Sequence, residues 1–172
     1  MPVATTLEPV VRKGGDQPGT EPDTETASVT CDARTPSRPG TVNALLMPAD
    51  DRRPCEVVTV PDRATAFSDA IGGGLLEEIH QDVVTGSRYL VYGDEDRTAK
   101  GLQANARAAV LAARLGWIDQ ADRVGLHGDL LLVGTDMHSR DTNVPSAVLD
   151  AATSAGLLPI PGATRTGGTG GG

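Results

Sequence analysis

Leu75-Leu-Glu-Glu-Ile-His-Gln-Asp-Val-Val-Thr-Gly-Ser-Arg-Tyr-Leu-Val-Tyr92 is the stretch on which the fold turns. Leu75–Val83 partly alternates apolar and polar residues, and Arg88–Tyr92 is β-branched and aromatic, so both read as strands. Thr85-Gly86 between them is a turn signal, close enough to join the strands as a hairpin. A hairpin makes its two strands antiparallel. An acidic turn, Gly93-Asp-Glu-Asp96, follows.

Toward the C-terminus, Asn105 reads as an N-cap and Ala106–Leu115 as a helix. Ala106, Ala109, Val110 and Ala113 recur at helical spacing, and Gly116 suits the position just past the helix end. Leu130-Leu-Leu-Val133 is wholly apolar, as expected of a central strand. A last helix starts near Pro145 and stops at Gly156, with Val148, Leu149 and Ala152 facing inward. Toward the N-terminus, Val42–Met47 is a short apolar run that stops at Pro48, and Asp50–Arg53 is a charged turn. Cys55–Val60 is a strand ended by Pro61. Asp62 caps a short helix over Arg63–Ile71, with Ala66, Phe67 and Ile71 on one face, and Gly72-Gly73-Gly74 ends it. Strands and helices mix without regular βαβ alternation. This predicts an α+β domain: a small, mostly antiparallel sheet with two or three packed helices.

The ends differ in composition. Residues 1–41 hold six Pro and four Gly, and residues 160–172 are mostly Gly and Thr. Such segments bury too little apolar surface to offset the entropy of ordering. The expected organisation is a disordered tail over 1–41, one domain over 42–159, and a flexible tail over 160–172. The domain carries 10 basic and 17 acidic residues, nearly all of the chain's net −8. That balance excludes a general nucleic-acid binder, which needs a basic footprint. No stretch approaches the ~20 apolar residues of a membrane span, so no membrane contact is expected. The start of the chain lacks a basic n-region and an apolar h-region, and Cys31 and Cys55 form no metal motif. A cytoplasmic location with reduced thiols follows as the expectation. Arg outnumbers Lys thirteen to two, a bias of GC-rich genomes, which points to an actinomycete-type bacterium or one of its phages or plasmids. Four aromatic residues leave little material for a rich hot-spot interface.

Candidate chemistry is thin. Phosphate loops follow a strand and open a helix; Gly72–Gly74 follows a helix and opens a strand, so a left-handed helix stop is the reading. Asp94-Glu95-Asp96 reads as a solvated turn, because the Gly and Glu that an EF-hand requires are replaced by Ala99 and Asn105. Glu77 and Glu78 are adjacent, so on a strand they point to opposite faces. Cys55 reads as a core thiol. Arg107, Arg114 and Arg123 read as a solvated helix face. Asn105 is fully accounted for as a cap, worth about 1 kcal/mol. His127, Asp129, Asp136 and His138 bracket one strand and are the weak catalytic candidates. They lack metal-ligand spacing, so neither metal nor cofactor is expected.

Three short motifs carry a resemblance: Ile71-Gly-Gly-Gly-Leu-Leu-Glu77, Gly101-Leu-Gln-Ala-Asn-Ala106 and Gly128-Asp-Leu-Leu-Leu-Val-Gly-Thr-Asp136. In this order, over about residues 55–136, the chain resembles a family of small bacterial and phage proteins known as a domain of unknown function, the DUF3846 group. Gln103-Ala104 departs from the proline-containing pattern of that family, and Ala112–His127 is longer. The resemblance implies association with phages and mobile elements and implies no reaction. The leading expectation is therefore a small acidic accessory protein that acts as a non-catalytic protein-binding module, with a DNA mimic as an acidic variant. The alternatives are a small hydrolase or nucleotide-processing enzyme using the His127/Asp129/Asp136/His138 region, and a virion-associated or structural protein.

Overall fold

The computed structural model describes residues 40–117 and 125–160. Its elements are β1 (Thr41–Met47), β2 (Glu56–Pro61), α1 (Ala64–Ala70), β3 (Leu76–Val84), β4 (Ser87–Asp94), α2 (Ala106–Leu115), β5 (Leu130–Thr135), β6 (Asp141–Thr142) and α3 (Ser146–Ser154). The protein is an α+β domain. The sheet runs in the order β2-β1-β5-β4-β3, every pairing is antiparallel, and β6 pairs with the far end of β5. The expected tails fall almost wholly outside the described residues, but β1 already begins at Thr41. No helix among the described residues is long and apolar enough to cross a membrane.

Leu130-Leu-Leu-Val133 occupies the middle of the sheet because it is apolar on both sides. Leu130 and Leu132 meet α2 and α3 on one face, with Leu45, Val91, Leu111 and Val148. Leu131 and Val133 meet α1 on the other, with Leu46, Leu90, Phe67 and Ile71. All four strand residues are fully buried. Burial of each such side chain stabilises by roughly 1.5–3 kcal/mol. The sheet is thus the middle of three layers.

The Thr85-Gly86 turn is a two-residue hairpin connection with φ of 46° and 82°. Positive φ at both positions is the primed turn whose twist matches the strands. In β3 the register slips between Glu78 and His80, leaving Ile79 as an extra residue. Such a bulge re-aims side chains. Here Ile79 and His80 both enter the layer under α2, and the His80 ring stacks on Trp117 at 4.1 Å.

Two expectations about the helices are corrected. The buried face of α2 is Ala108, Leu111 and Ala112, while Ala106, Val110 and Ala113 face solvent. In an alanine-rich helix more than one stripe looks apolar; the side chain with the most area to hide, Leu111, sets the orientation. Asp62 does not cap α1: Arg63 is the N-cap and no side chain caps it. Asn105 does cap α2, accepting from Ala108 N at 3.0 Å, and α3 buries Val148, Leu149 and Ala152 as expected.

Candidate functional site

The three stretches behind the family resemblance are far apart in sequence and meet at one end of the sheet. The first is the run after α1. Gly72, Gly73 and Gly74 have φ of 96°, 83° and 113°, a backbone that side-chain-bearing residues rarely adopt. Gly73 N donates to Ser68 O, and Ser68 Oγ donates to Gly74 O at 2.7 Å, so the stop is closed by hydrogen bonds. A Cβ at 74 would come within 2.7 Å of Asp94 Oδ2 and 2.8 Å of Lys100 Nζ. The bare Cα makes room for that ion pair.

The ion pair stands just before the second stretch and leads into it. Asp94 ends β4 and is buried; its carboxylate takes Lys100 Nζ at 2.6 Å and Asp96 N at 2.8 Å. The hydrogen bond from Lys100 holds the carboxyl below the usual carboxylate range, against the opposing effect of burial. The acidic turn is solvated at Glu95 and Asp96, as expected, but not at its first residue, Asp94, which is a buried anchor for the chain leading to α2. Arg97 binds the turn from the other side, pairing with Glu77 and donating to Asp94 O and Gly125 O.

Asn105 joins the second stretch to the third. It is buried, accepts from Ala108 N, and donates from Nδ2 to Met47 O and Gly128 O, each at 2.9 Å. One side chain thus caps α2 and fastens it to the end of β1 and the start of β5. Gly128 has φ of 74°, donates to Gln103 O, and leaves room for Leu102, which a Cβ would meet at 2.7 Å. Asp129 accepts from Ala49 N at 2.9 Å and pairs with Arg53 at 2.6 Å.

These groups enclose a cleft of about 370 Å³. Its walls include Gly72, Gly73, Lys100, Leu102, Gln103 and Asp129. Glycine backbone, the half-buried Leu102 and the exposed Gln103 amide line it alongside the charged groups. Its charges are already matched: Asp94 with Lys100, and Asp129 with Arg53.

Of the four candidates from sequence, only Asp129 lines this cleft. His127 is half-buried in an isolated bridge with Ala104. Asp136 and His138 lie past the other end of β5, about 20 Å away along a strand rising ~3.3 Å per residue. Asp136 accepts from His138 N and Arg140 N and pairs with Arg140 at 2.7 Å. Those bonds, Arg140's first, hold its carboxyl down to about 2. The exposed His138 thus meets Asp136 through its backbone. The strand brackets these residues without gathering them. Among the described residues, no three His, Cys, Asp or Glu are grouped to hold a metal. A second depression, of about 470 Å³, lies at this end, with Asp136 and Arg88 in its wall.

Cys55 is a core thiol, pushed up by burial against the lowering effect of Arg107. Arg114 lies exposed on the outer face of α2, as expected, whereas the guanidinium of the half-buried Arg107 donates to the carbonyls of Asp50, Asp51 and Arg53 and ties the β1–β2 turn to α2. Arg123 lies outside the described residues. Sequence reasoning missed Lys100 and the burial of Asp94. Neither shows in periodicity, although Lys100 is one of two lysines in the chain.

No protein-family model matches the chain, and no curated protein matches it. Among solved structures it is similar to the crystal structure of small RNA methyltransferase HEN1, at 18% identity and a TM-score of 0.46. The likeness covers 69% of this chain and 16% of that one.

Proposed function

We propose that this chain is a non-catalytic protein-binding module, an acidic accessory protein of the kind carried by phages, plasmids and their actinomycete-type hosts. The observation that carries the reading is the state of the cleft's charged groups. Asp94, Lys100 and Asp129 are each engaged by a neighbour. General acid–base or nucleophilic catalysis uses a group with a proton to give or take at the reacting atom. A surface of glycine backbone, Leu102 and the Gln103 amide offers shape and hydrogen bonds instead. The resemblance to a phage-associated family supports the same reading, since its three motifs form these walls.

The test is copurification from lysate of a GC-rich actinobacterial host, followed by reassembly from purified components. The expected result is a stoichiometric complex with one protein, weakened about tenfold by Gln103→Arg, which adds an unmatched charge to the cleft. Turnover of a phosphodiester or nucleotide substrate that Asp129→Asn abolishes would replace this reading with the hydrolytic one.

A further inference from the structure

The sheet has two edges, and they are built differently. The β2 edge is short, runs into Pro61 and follows Pro54. Proline and brevity are the usual guards of an exposed edge. The β3 edge is nine residues long, from Leu76 to Val84, with neither proline nor lysine in it. Across the two-residue turn, Val84 and Ser87 are the closing pair and exchange both hydrogen bonds. By alternation, Val83 and Gln81 stand in the pairs whose backbone groups point away from β4. An independent contact agrees: Val83 N donates to the Asp82 carboxylate at 2.7 Å, as an outward N–H can.

The chemistry of this edge has one sign. Glu77, Glu78 and Asp82 lie along β3, and neither lysine nor arginine does; its one histidine, His80, is buried. Glu77 is matched by Arg97, whereas Glu78 is exposed and makes no ion pair among the described residues. Leu75, 59% exposed, and Val83, 54% exposed, place apolar area near its two ends. A second copy of β3 would lay acids against acids, and like charges directly opposite destabilise a strand pair.

We infer that β3 is the docking edge for an extended, lysine- or arginine-bearing segment of a partner protein, which adds to the sheet as a seventh strand. The inference rests on the binding reading above and names the partner's chemistry. Main-chain bonds to Gln81 and Val83 supply affinity, and a basic residue on the α1 side of the added strand meets Glu78, which stands opposite Tyr92, while Asp82, opposite Tyr89, meets one on the other side. A cation of the partner also releases the Val83 N–H by drawing off the Asp82 carboxylate.

The test uses the full chain, isotope-labelled, and a blocked peptide of about ten residues alternating valine and lysine. A second peptide carries glutamate in place of lysine. The expected result is amide shifts and slowed hydrogen exchange confined to 76–84, strongest at Gln81 and Val83, with the lysine peptide only. Glu78→Lys lowers the affinity about tenfold. Val83→Pro abolishes binding while β4 amide signals persist, because an outward N–H is not part of the ladder. Should Val83→Pro fail to fold, Glu78→Lys carries the test by itself. Equal binding of both peptides, no binding, or unchanged binding to Glu78→Lys overturns the inference, as does self-association of the chain through β3. A protein partner whose footprint lies on Gly72 and Gln103 instead overturns it while leaving the binding-module reading intact.

Discussion

Asn105 and His80 are both buried polar residues next to the same core, and they are treated in opposite ways. Asn105 makes three hydrogen bonds, to α2, β1 and the start of β5. Among the described residues His80 Nε2 finds no partner, nor do its buried neighbours Tyr89 Oη and Trp117 Nε1. The nearest acid, Asp82, stands 3.8 Å from His80 Nε2, beyond hydrogen-bond reach. A buried polar atom without a partner costs about 1–3 kcal/mol, whereas a satisfied one contributes about 1 kcal/mol. The first region is a lock that holds three segments in register. The second is the soft side of the same core, where these polar side-chain atoms are covered by ring and aliphatic packing.

That contrast predicts an ordered set of effects. Asn105→Ala is expected to cost about 3 kcal/mol, since it removes a cap and leaves two buried carbonyls without their donor. Denaturant unfolding measures this, and a loss below about 1 kcal/mol would show that water replaces the amide and that no lock exists. Gly74→Ala comes next, at about 2 kcal/mol, from an unsuitable φ and from displacing the Asp94–Lys100 pair. A Gly74→Ala protein as stable as the parent would mean that the ion pair moves freely away from the glycine.

The third effect is pH dependence on the soft side. Burial lowers the pKa of His80 from its ordinary value of 6.5, with Asp82 acting in the opposite sense. The unfolded chain therefore takes up a proton before the folded one does. Stability is full above about pH 6.5 and falls as the pH drops through the folded value. Trp117, the only tryptophan, stacks on this ring and reports the change through its emission. Replacing His80 with Leu is expected to remove that acid-dependent loss and leave the carboxylate-dependent one. An unchanged acid profile in His80→Leu would place the titration elsewhere. The smallest effect is that of Tyr89→Phe. Deleting an unpartnered hydroxyl is expected to leave stability within about 1 kcal/mol of the parent, on the stabilising side. A clear loss would reveal a partner for that hydroxyl and blur the contrast with Asn105.

Local signals were legible where local physics decides. Thr85-Gly86 marked a turn because its residues tolerate or favour special φ values, and the hairpin register followed from it. Asn105 read as a cap because its side chain can take an orphan N–H of the first turn. The inward face of α3 was visible because Val148, Leu149 and Ala152 stand against polar neighbours. On α2, alanines on every side made the stripe ambiguous, and only packing against β5 selected Ala108, Leu111 and Ala112. Asp94 looked solvated because acidic residues in a turn usually are; its burial depends on Lys100 and on the missing side chain of Gly74.

The amino-acid sequence by itself determined most of the elements (not β1 as a strand, nor β6), the antiparallel hairpin and the central place of Leu130–Val133, because these rest on backbone preference and on apolar alternation between near neighbours. The tertiary structure alone decided that Gly72, Lys100 and Asp129 share a cleft, and that Asp129 and Asp136 stand at opposite ends of a strand. It also decided that, among the described residues, the acidic β3 edge of the sheet pairs with no further strand. Such facts depend on contacts between segments dozens of residues apart, such as Asn105 with Met47 and Asp129 with Ala49. No local pattern carries them, because the energy that selects them is gained only when the strands have closed into one sheet.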